Sequence, residues 1–235
     1  MDTVKKHFEE EAKEFDQIIL RLIPFYPEMI DALITAIPFD KSSRISVIDL
    51  GCGTGTISRC IKETFPQARI SCLDLAENMI EMTKLKLAKF SDTRFQVGDF
   101  TDYKFDDTYD LVVSSLALHH LVTDEDKIDF YRKIHKSLSP NGVFFNADVI
   151  LGSSEYLQKA YIEKWRDFMK RHVAEEEIKN KWLPQYQEED RPAKLMNQIA
   201  WLTNLGFREV DIIRKYYNFA VYGGRKPGND MHHAQ

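Results

Sequence analysis

The 235 residues, 43% of them hydrophobic and 29% charged, are enough for one α/β domain with a modest helical addition. A formal net charge of -5 disfavours a chain that grips nucleic acid through a broad positive field. No apolar run approaches the roughly 20 residues that cross a bilayer, so a membrane partner is not expected.

In chain order, the opening alternates acids and bases and lacks the apolar stretch of a signal peptide. Phe8, Phe15, Ile18, Ile19 and Leu22 recur at helical spacing, which predicts a first helix ended by Pro24 and Pro27. Met29, Ile30, Leu33, Ile34 and Ile37 predict a second. Residues 1–43 are therefore expected to form a helical cover over one end of a sheet. From residue 44 short apolar strands (45–50, 69–73, 94–97, 109–114 and 142–150) alternate with helices, the pattern of a parallel sheet covered on both faces. Residues 153–190 interrupt the rhythm with a bulky, charged helical stretch, read as a lid inserted into a domain spanning 44–235. Two closing strands, 209–215 and 219–223, are too closely spaced to be anything but an antiparallel hairpin.

The strongest local signal is Val47-Ile48-Asp49-Leu50-Gly51-Cys52-Gly53-Thr54-Gly55. Glycines after a strand allow a tight turn that approaches a ligand closely. Asp49 would repel a pyrophosphate but suits a cation, such as the α-amino group of a methionine moiety. Asp74, ending the next strand, is placed to accept from ribose hydroxyls, or simply to cap the following helix. After the third strand, Asp99 is placed for an adenine amino group and Phe100 for the ring, although a plain Gly-Asp turn would look the same. The fourth strand runs into Ser114-Ser115-Leu116-Ala117-Leu118-His119-His120-Leu121, and ligands of open α/β sheets sit beyond such strand ends.

These segments together resemble the ordered motifs of class I S-adenosylmethionine (SAM)-dependent methyltransferases, over about residues 44–150. The resemblance implies a Rossmann-like α/β sheet, mostly parallel with an antiparallel last strand. It also implies SAM as cofactor, with S-adenosylhomocysteine as product. Asp49, Gly51 and Gly53 would hold the methionine end and Asp74 the ribose, with Cys52, Leu75 and Met79 also in the cofactor site. Asp99 and Phe100 would lie at adenine, and Ser115 near the sulfonium. A narrower resemblance, through His7-Phe8 to Phe25-Tyr26 and Leu205-Gly206-Phe207 to Phe219, is to the carboxy-SAM synthases, which convert SAM and prephenate into carboxy-SAM. In those enzymes an arginine after the fifth strand holds the added carboxylate. Here Lys181-Trp182 fall at that place and Arg191 further on, so the marker is not matched.

The expected reaction is methyl transfer to a small molecule by in-line displacement. His119, His120 and Asp148 are the candidate bases, and each has a plain structural alternative as a cap or a core group. Tyr26, Trp165 and Trp182, with His119, are candidates for the acceptor pocket, although aromatic residues at helical spacing more often form core. A carboxy-SAM synthase, a tRNA-directed methyltransferase and a non-catalytic SAM-binding protein are the alternatives. Three cysteines without metal-ligand spacing suit a reducing cytoplasm, no metal is expected, and His232-His233 reads as a solvated terminus. The sheet edge beside the hairpin or the apolar N-terminal helices could support a homodimer.

Overall fold

The computed structural model describes residues 14–228, so His7, Phe8 and the His232-His233 pair lie outside the described residues. Two helices, α1 (Phe15–Leu22) and α2 (Tyr26–Thr35), precede the sheet. They are joined at Phe25, a left-handed residue (φ 55°) whose ring stands edge-on to Tyr216 at 4.8 Å. The sheet follows as β1 (Ser46–Leu50), α3 (Thr56–Thr64), β2 (Arg69–Asp74), α4 (Glu77–Leu87), β3 (Thr93–Val97) and β4 (Tyr109–Ser115). A short 3-10 turn, Leu118–His120, leads to α5 (Asp124–Ser137) and β5 (Leu138–Val149). Thr123 and Asp126 start α5 with a reciprocal capping box, each side chain accepting the other's backbone N–H.

After β5 come α6 (Glu155–Met169), a helical turn Glu175–Glu177, a wide π-type turn Ile178–Trp182, and α7 (Leu183–Glu189). Helix α8 (Leu195–Asn204) and the hairpin β6 (Arg208–Tyr216) and β7 (Phe219–Arg225) close the chain. Strand order is β3-β2-β1-β4-β5-β7-β6, parallel from β3 to β5, with β7 antiparallel to both its neighbours. This is the mostly parallel, doubly covered sheet with one reversed strand that the sequence pattern implies. The order reverses between β1 and β4, and the crevice there is where such sheets take ligands.

Alternation along the strands separates two cores. Val47, Leu111, Val113, Phe145 and Val221 face α1, α2, α3 and α6, whereas Ile48, Leu50, Val112, Phe144 and Tyr222 face α5 and α8. The close packing of β5 on β7 depends on Gly223, where an added Cβ would come within 1.9 Å of the Phe144 carbonyl oxygen. Among the described residues no helix is long and apolar enough to cross a membrane.

Candidate active site

Strand β1 ends in Asp49-Leu50, and the chain then turns through Gly51 and Gly53 in left-handed conformation (φ 68° and 54°). The Gly51 and Cys52 amides both donate to the Leu73 carbonyl, tying the turn to the end of β2. An added Cβ at Gly51 would lie 2.4 Å from that of Ala117, so the turn and the β4 loop can touch only through glycine. Gly51→Ala is expected to cost about 1–2 kcal/mol for the left-handed backbone alone, with further loss from the contact, read as a lowered thermal midpoint.

Around this turn lies a cavity open at the strand ends, where such sheets take ligands. Asp49, Gly51, Cys52, Gly53, Asp74, Leu75, Met79, Phe100 and Ser115 all line it, as does Tyr26. Asp49 is 1% exposed and accepts from Ser58 Oγ at 2.7 Å. Burial pushes its pKa up to about 7, helped by the charge of Asp74 and opposed by the Ser58 hydrogen bond. Asp74 accepts from the Gly53 amide at 2.7 Å and the Ala76 amide at 2.9 Å, so it braces both the glycine turn and the start of α4. Helix α1 is pinned over the turn by Asp16, whose carboxylate accepts from Thr54 Oγ1 at 2.5 Å and Lys86 Nζ at 2.6 Å.

A second cavity adjoins the first and shares Phe15, Leu116 and His120 with it. Leu116 is left-handed (φ 51°), an uncommon state for a non-glycine residue, and projects between the two spaces. Helices α1, α6 and α7 and the π-type turn supply the remaining wall, including Leu22, Trp165, Trp182, Tyr186, Glu189 and Asp190. Trp165 and Trp182 are fixed by their indole N–H groups, which donate to the Leu22 carbonyl and to Glu177 Oε1.

Behind this wall runs a buried polar chain. Tyr131 and Tyr222 both donate to Gln198 Oε1. Asn146 Nδ2 donates to Tyr222 Oη at 2.9 Å and to Asp148 Oδ2 at 3.1 Å. Asp148 Oδ1 accepts from His119 Nδ1 at 2.5 Å, and His119 Nε2 faces Asp190 Oδ1 at 3.3 Å. Burial alone would lower the His119 pKa, but the Asp190 and Asp148 carboxylates override it and hold the group up to about 10. His119 is therefore an imidazolium whose two N–H groups are both committed. It has no lone pair with which to take a proton at neutral pH, which removes the physical basis for a base role. His120 is the opposite case, since burial, reinforced by the charge of His119, pushes its pKa down to about 4. Its Nδ1 faces the Glu189 carbonyl at 3.4 Å, which places the ring lone pair on Nε2.

The structure thus brings together nearly all of the residues singled out for the cofactor. Asp99 is the exception: its carboxylate accepts from the Thr101 amide and hydroxyl, the plain-turn alternative, and it is not on the cavity wall. Tyr26 lies on the first cavity rather than the second, at the start of α2 directly after the left-handed Phe25. Asp148 reaches neither cavity and acts on His119 from behind. Asp190, Glu189, Tyr186 and Leu116 were not anticipated. His119, His120 and Asp190 also bring three candidate metal-ligand atoms within 4.8 Å of one another. Here His119 Nε2 and Asp190 Oδ1 take part in the ion pair just described, and His120 Nδ1 lies 3.8 Å from the same carboxylate oxygen.

A methyltransferase-domain family model matches residues 47–142, the glycine turn through the start of β5. The carboxy-S-adenosyl-L-methionine synthase of Nautilia profundicola is 26% identical over 231 residues, covering 93% of this chain and 94% of that protein. A malonyl-[acyl-carrier protein] O-methyltransferase of Acetivibrio thermocellus is 28% identical over 140 residues, covering 60% of this chain and 47% of that protein. Among solved structures, human N-acetylserotonin methyltransferase in complex with SAM superposes with a TM-score of 0.61 at 20% identity. That match covers 93% of this chain, which spans only 56% of the human chain. With the strand order, the glycine turn and these relatives in hand, the chain has the fold of class I SAM-dependent methyltransferases, carries a methyltransferase-domain match over residues 47–142, and is distantly similar along nearly its whole length to the carboxy-SAM synthases.

Proposed function

We propose that this protein binds SAM in the first cavity and transfers its methyl group to a small molecule held in the second. The observation that carries this reading is the junction of the two cavities at Phe15, Leu116 and His120, which sets a cofactor space against an acceptor space. The residues present suit the cofactor. Asp49 is a buried anion site for the methionine amino group, Asp74 offers its carboxylate toward ribose, and Phe100 gives the adenine a ring to pack on. Leu75 and Met79 supply apolar wall beside them, and Ser115 lies at the sulfonium end.

SAM supplies a methyl group already activated by its positive sulfur. The chain's task is to aim an acceptor along the S–CH₃ axis and to exclude water, and such orientation can supply roughly 7–11 kcal/mol. The N-terminal helices and the 153–190 segment are proposed as the cover that does so. Three free cysteines, two of them buried, suit a cytoplasmic setting for this enzyme.

The carboxy-SAM synthase alternative draws on relatives that match nearly the whole chain. Among the described residues, however, no lysine or arginine lines either cavity. The His119 imidazolium on the second cavity is already shared between Asp148 and Asp190, so an added carboxylate on SAM, or the two carboxylates of prephenate, would meet no uncommitted cationic side chain among these residues. Lys181 lies 4.0 Å over the Trp182 ring, and Arg191 donates to the carbonyls of Gln187, Glu188 and Asp190 at the end of α7. Asp74→Ala is expected to weaken SAM binding tenfold or more, on the order of 1.5–3 kcal/mol for charged hydrogen bonds. Calorimetric titration with SAM checks it, and unchanged affinity in a folded variant would overturn the placement of the cofactor.

A further inference from the structure

The second cavity is walled mainly by rings and aliphatic side chains. Trp165 stands edge-on to Tyr186 at 5.2 Å and to Phe219 at 5.6 Å, and Leu22, Ile23 and Val149 line the cavity with them. The charged groups of the wall satisfy one another or their neighbours. The His119 imidazolium lies between Asp148 and Asp190, and Glu189 Oε2 accepts from Gln185 Nε2 at 3.5 Å. Both indole N–H groups are likewise taken, by the Leu22 carbonyl and by Glu177. His120, on the wall shared by the two cavities, is neutral.

We propose that the acceptor is an uncharged aromatic molecule, seated against Trp165, Tyr186 and Phe219 and methylated on a hydroxyl oxygen. This rests on the reading that methyl transfer takes place between the two cavities. A charged acceptor of either sign would give up water in this space, where among the described residues each charge on the wall already has its partner. A neutral ring system carries no such cost, and it gains both apolar burial and edge-to-face contact against the three rings. Neutrality in turn selects the atom. Near neutral pH alkylamines are cations and carboxylic acids are anions, whereas a phenolic hydroxyl, with a pKa of about 10, keeps its proton. The transfer balances simply. A lone pair of the hydroxyl oxygen forms the O–CH₃ bond as the C–S bond breaks, and the hydroxyl proton passes to water. The electron pair of the broken bond stays on sulfur as S-adenosylhomocysteine, and the product leaves as an uncharged ether.

The test uses four compounds of one skeleton: 2-naphthol, 2-naphthylmethylamine, 2-naphthoate and decahydro-2-naphthol, the last without aromatic rings. Each is titrated calorimetrically into the full chain saturated with S-adenosylhomocysteine, and each is then incubated with methyl-labelled SAM. The naphthol is expected to bind roughly tenfold tighter than each of the others, and to carry label on oxygen. Ile18 is half-buried on the second cavity and does not line the first. Ile18→Arg adds a cation at that wall, so it should raise affinity for the naphthoate while binding of S-adenosylhomocysteine is unchanged, a gain that misfolding cannot produce. Equal or tighter binding of the amine, the acid or the saturated alcohol would overturn the assignment. So would label on nitrogen or carbon, no label on the naphthol, or no binding of any of the four to the loaded protein. An Ile18→Arg variant that binds S-adenosylhomocysteine yet gains nothing for the acid would move the acceptor out of this cavity and overturn it too. Failure of the unaltered protein to bind S-adenosylhomocysteine at all would instead strike the underlying methyl-transfer reading, so the two failures are distinct.

Discussion

Asp148→Ala is expected to cost about 3–5 kcal/mol of folding stability, the range for removing one partner of a buried ion pair. The carboxylate is 2% exposed and accepts from His119 Nδ1, Asn146 Nδ2 and the Val149 amide, so its loss leaves three buried donors short of an acceptor. The His119 charge would then rest on Asp190 alone. A pH signature separates this from simple loss of packing. The folded-state pKa of His119 is raised from 6.5 to about 10, so its contribution is fully present below pH 6.5 and is lost as pH rises through 10. Denaturant unfolding of the unaltered protein should therefore show stability falling across that window. In Asp148→Ala the slope should flatten, because the variant holds the proton less tightly. A variant as stable as the parent, or one with the same slope, would show that the Asp148–His119 pair is not what the buried chain depends on.

SAM affinity should fall about tenfold between pH 7 and pH 5.5. Asp49, with its pKa pushed up to about 7, is half ionised at the upper limit and almost wholly protonated at the lower. Only the ionised form attracts the methionine amino group, which stays protonated throughout this range. The sign is therefore fixed: binding strengthens as pH rises, and a proton is released when SAM enters below pH 7. Asp49→Asn should bind weakly at pH 7 and show little pH dependence. Titration calorimetry in two buffers of different ionisation heat reads both the affinity and the proton release. A pH-independent affinity for the unaltered protein would remove Asp49 from the amino-group site.

The parts legible in the sequence were those written in local pattern. Strand spacing revealed the sheet, and the reversed last strand followed from the short link between Tyr216 and Phe219, which only a hairpin can span. Asp49 and the glycine turn were readable because a strand, an acid and left-handed glycines must follow one another there. Asp74 was ambiguous because one carboxylate can accept from the amides at the start of a helix and also line a cavity, and here it holds the Gly53 and Ala76 amides on the cavity wall. Asp99 was ambiguous for the same local reason, and its nearest donors, on Thr101, claimed it.

The acceptor side was not legible because it is assembled from distant segments. Asp190 reaches His119 across 71 positions of sequence, through a backbone bond from the Arg191 amide to the His119 carbonyl and a parallel bridge between Leu151 and Lys194. Neither leaves a periodic trace. The roles of His119 and His120 were likewise undecidable from two adjacent letters. One is held charged by two carboxylates and the other held neutral by burial, and that difference comes wholly from tertiary surroundings. The π-type turn at Ile178–Trp182, which helps set Trp182 on the cavity wall, has no sequence signature that would distinguish it from an ordinary helix.

The central claim is that this chain holds SAM and uses it as a methyl donor. The most direct test is mass analysis of the small molecules released when the freshly purified protein, incubated with excess SAM and desalted, is denatured. SAM or S-adenosylhomocysteine is expected at close to one per chain. A carboxylated SAM species, or no adenosyl nucleoside retained at all, would contradict it.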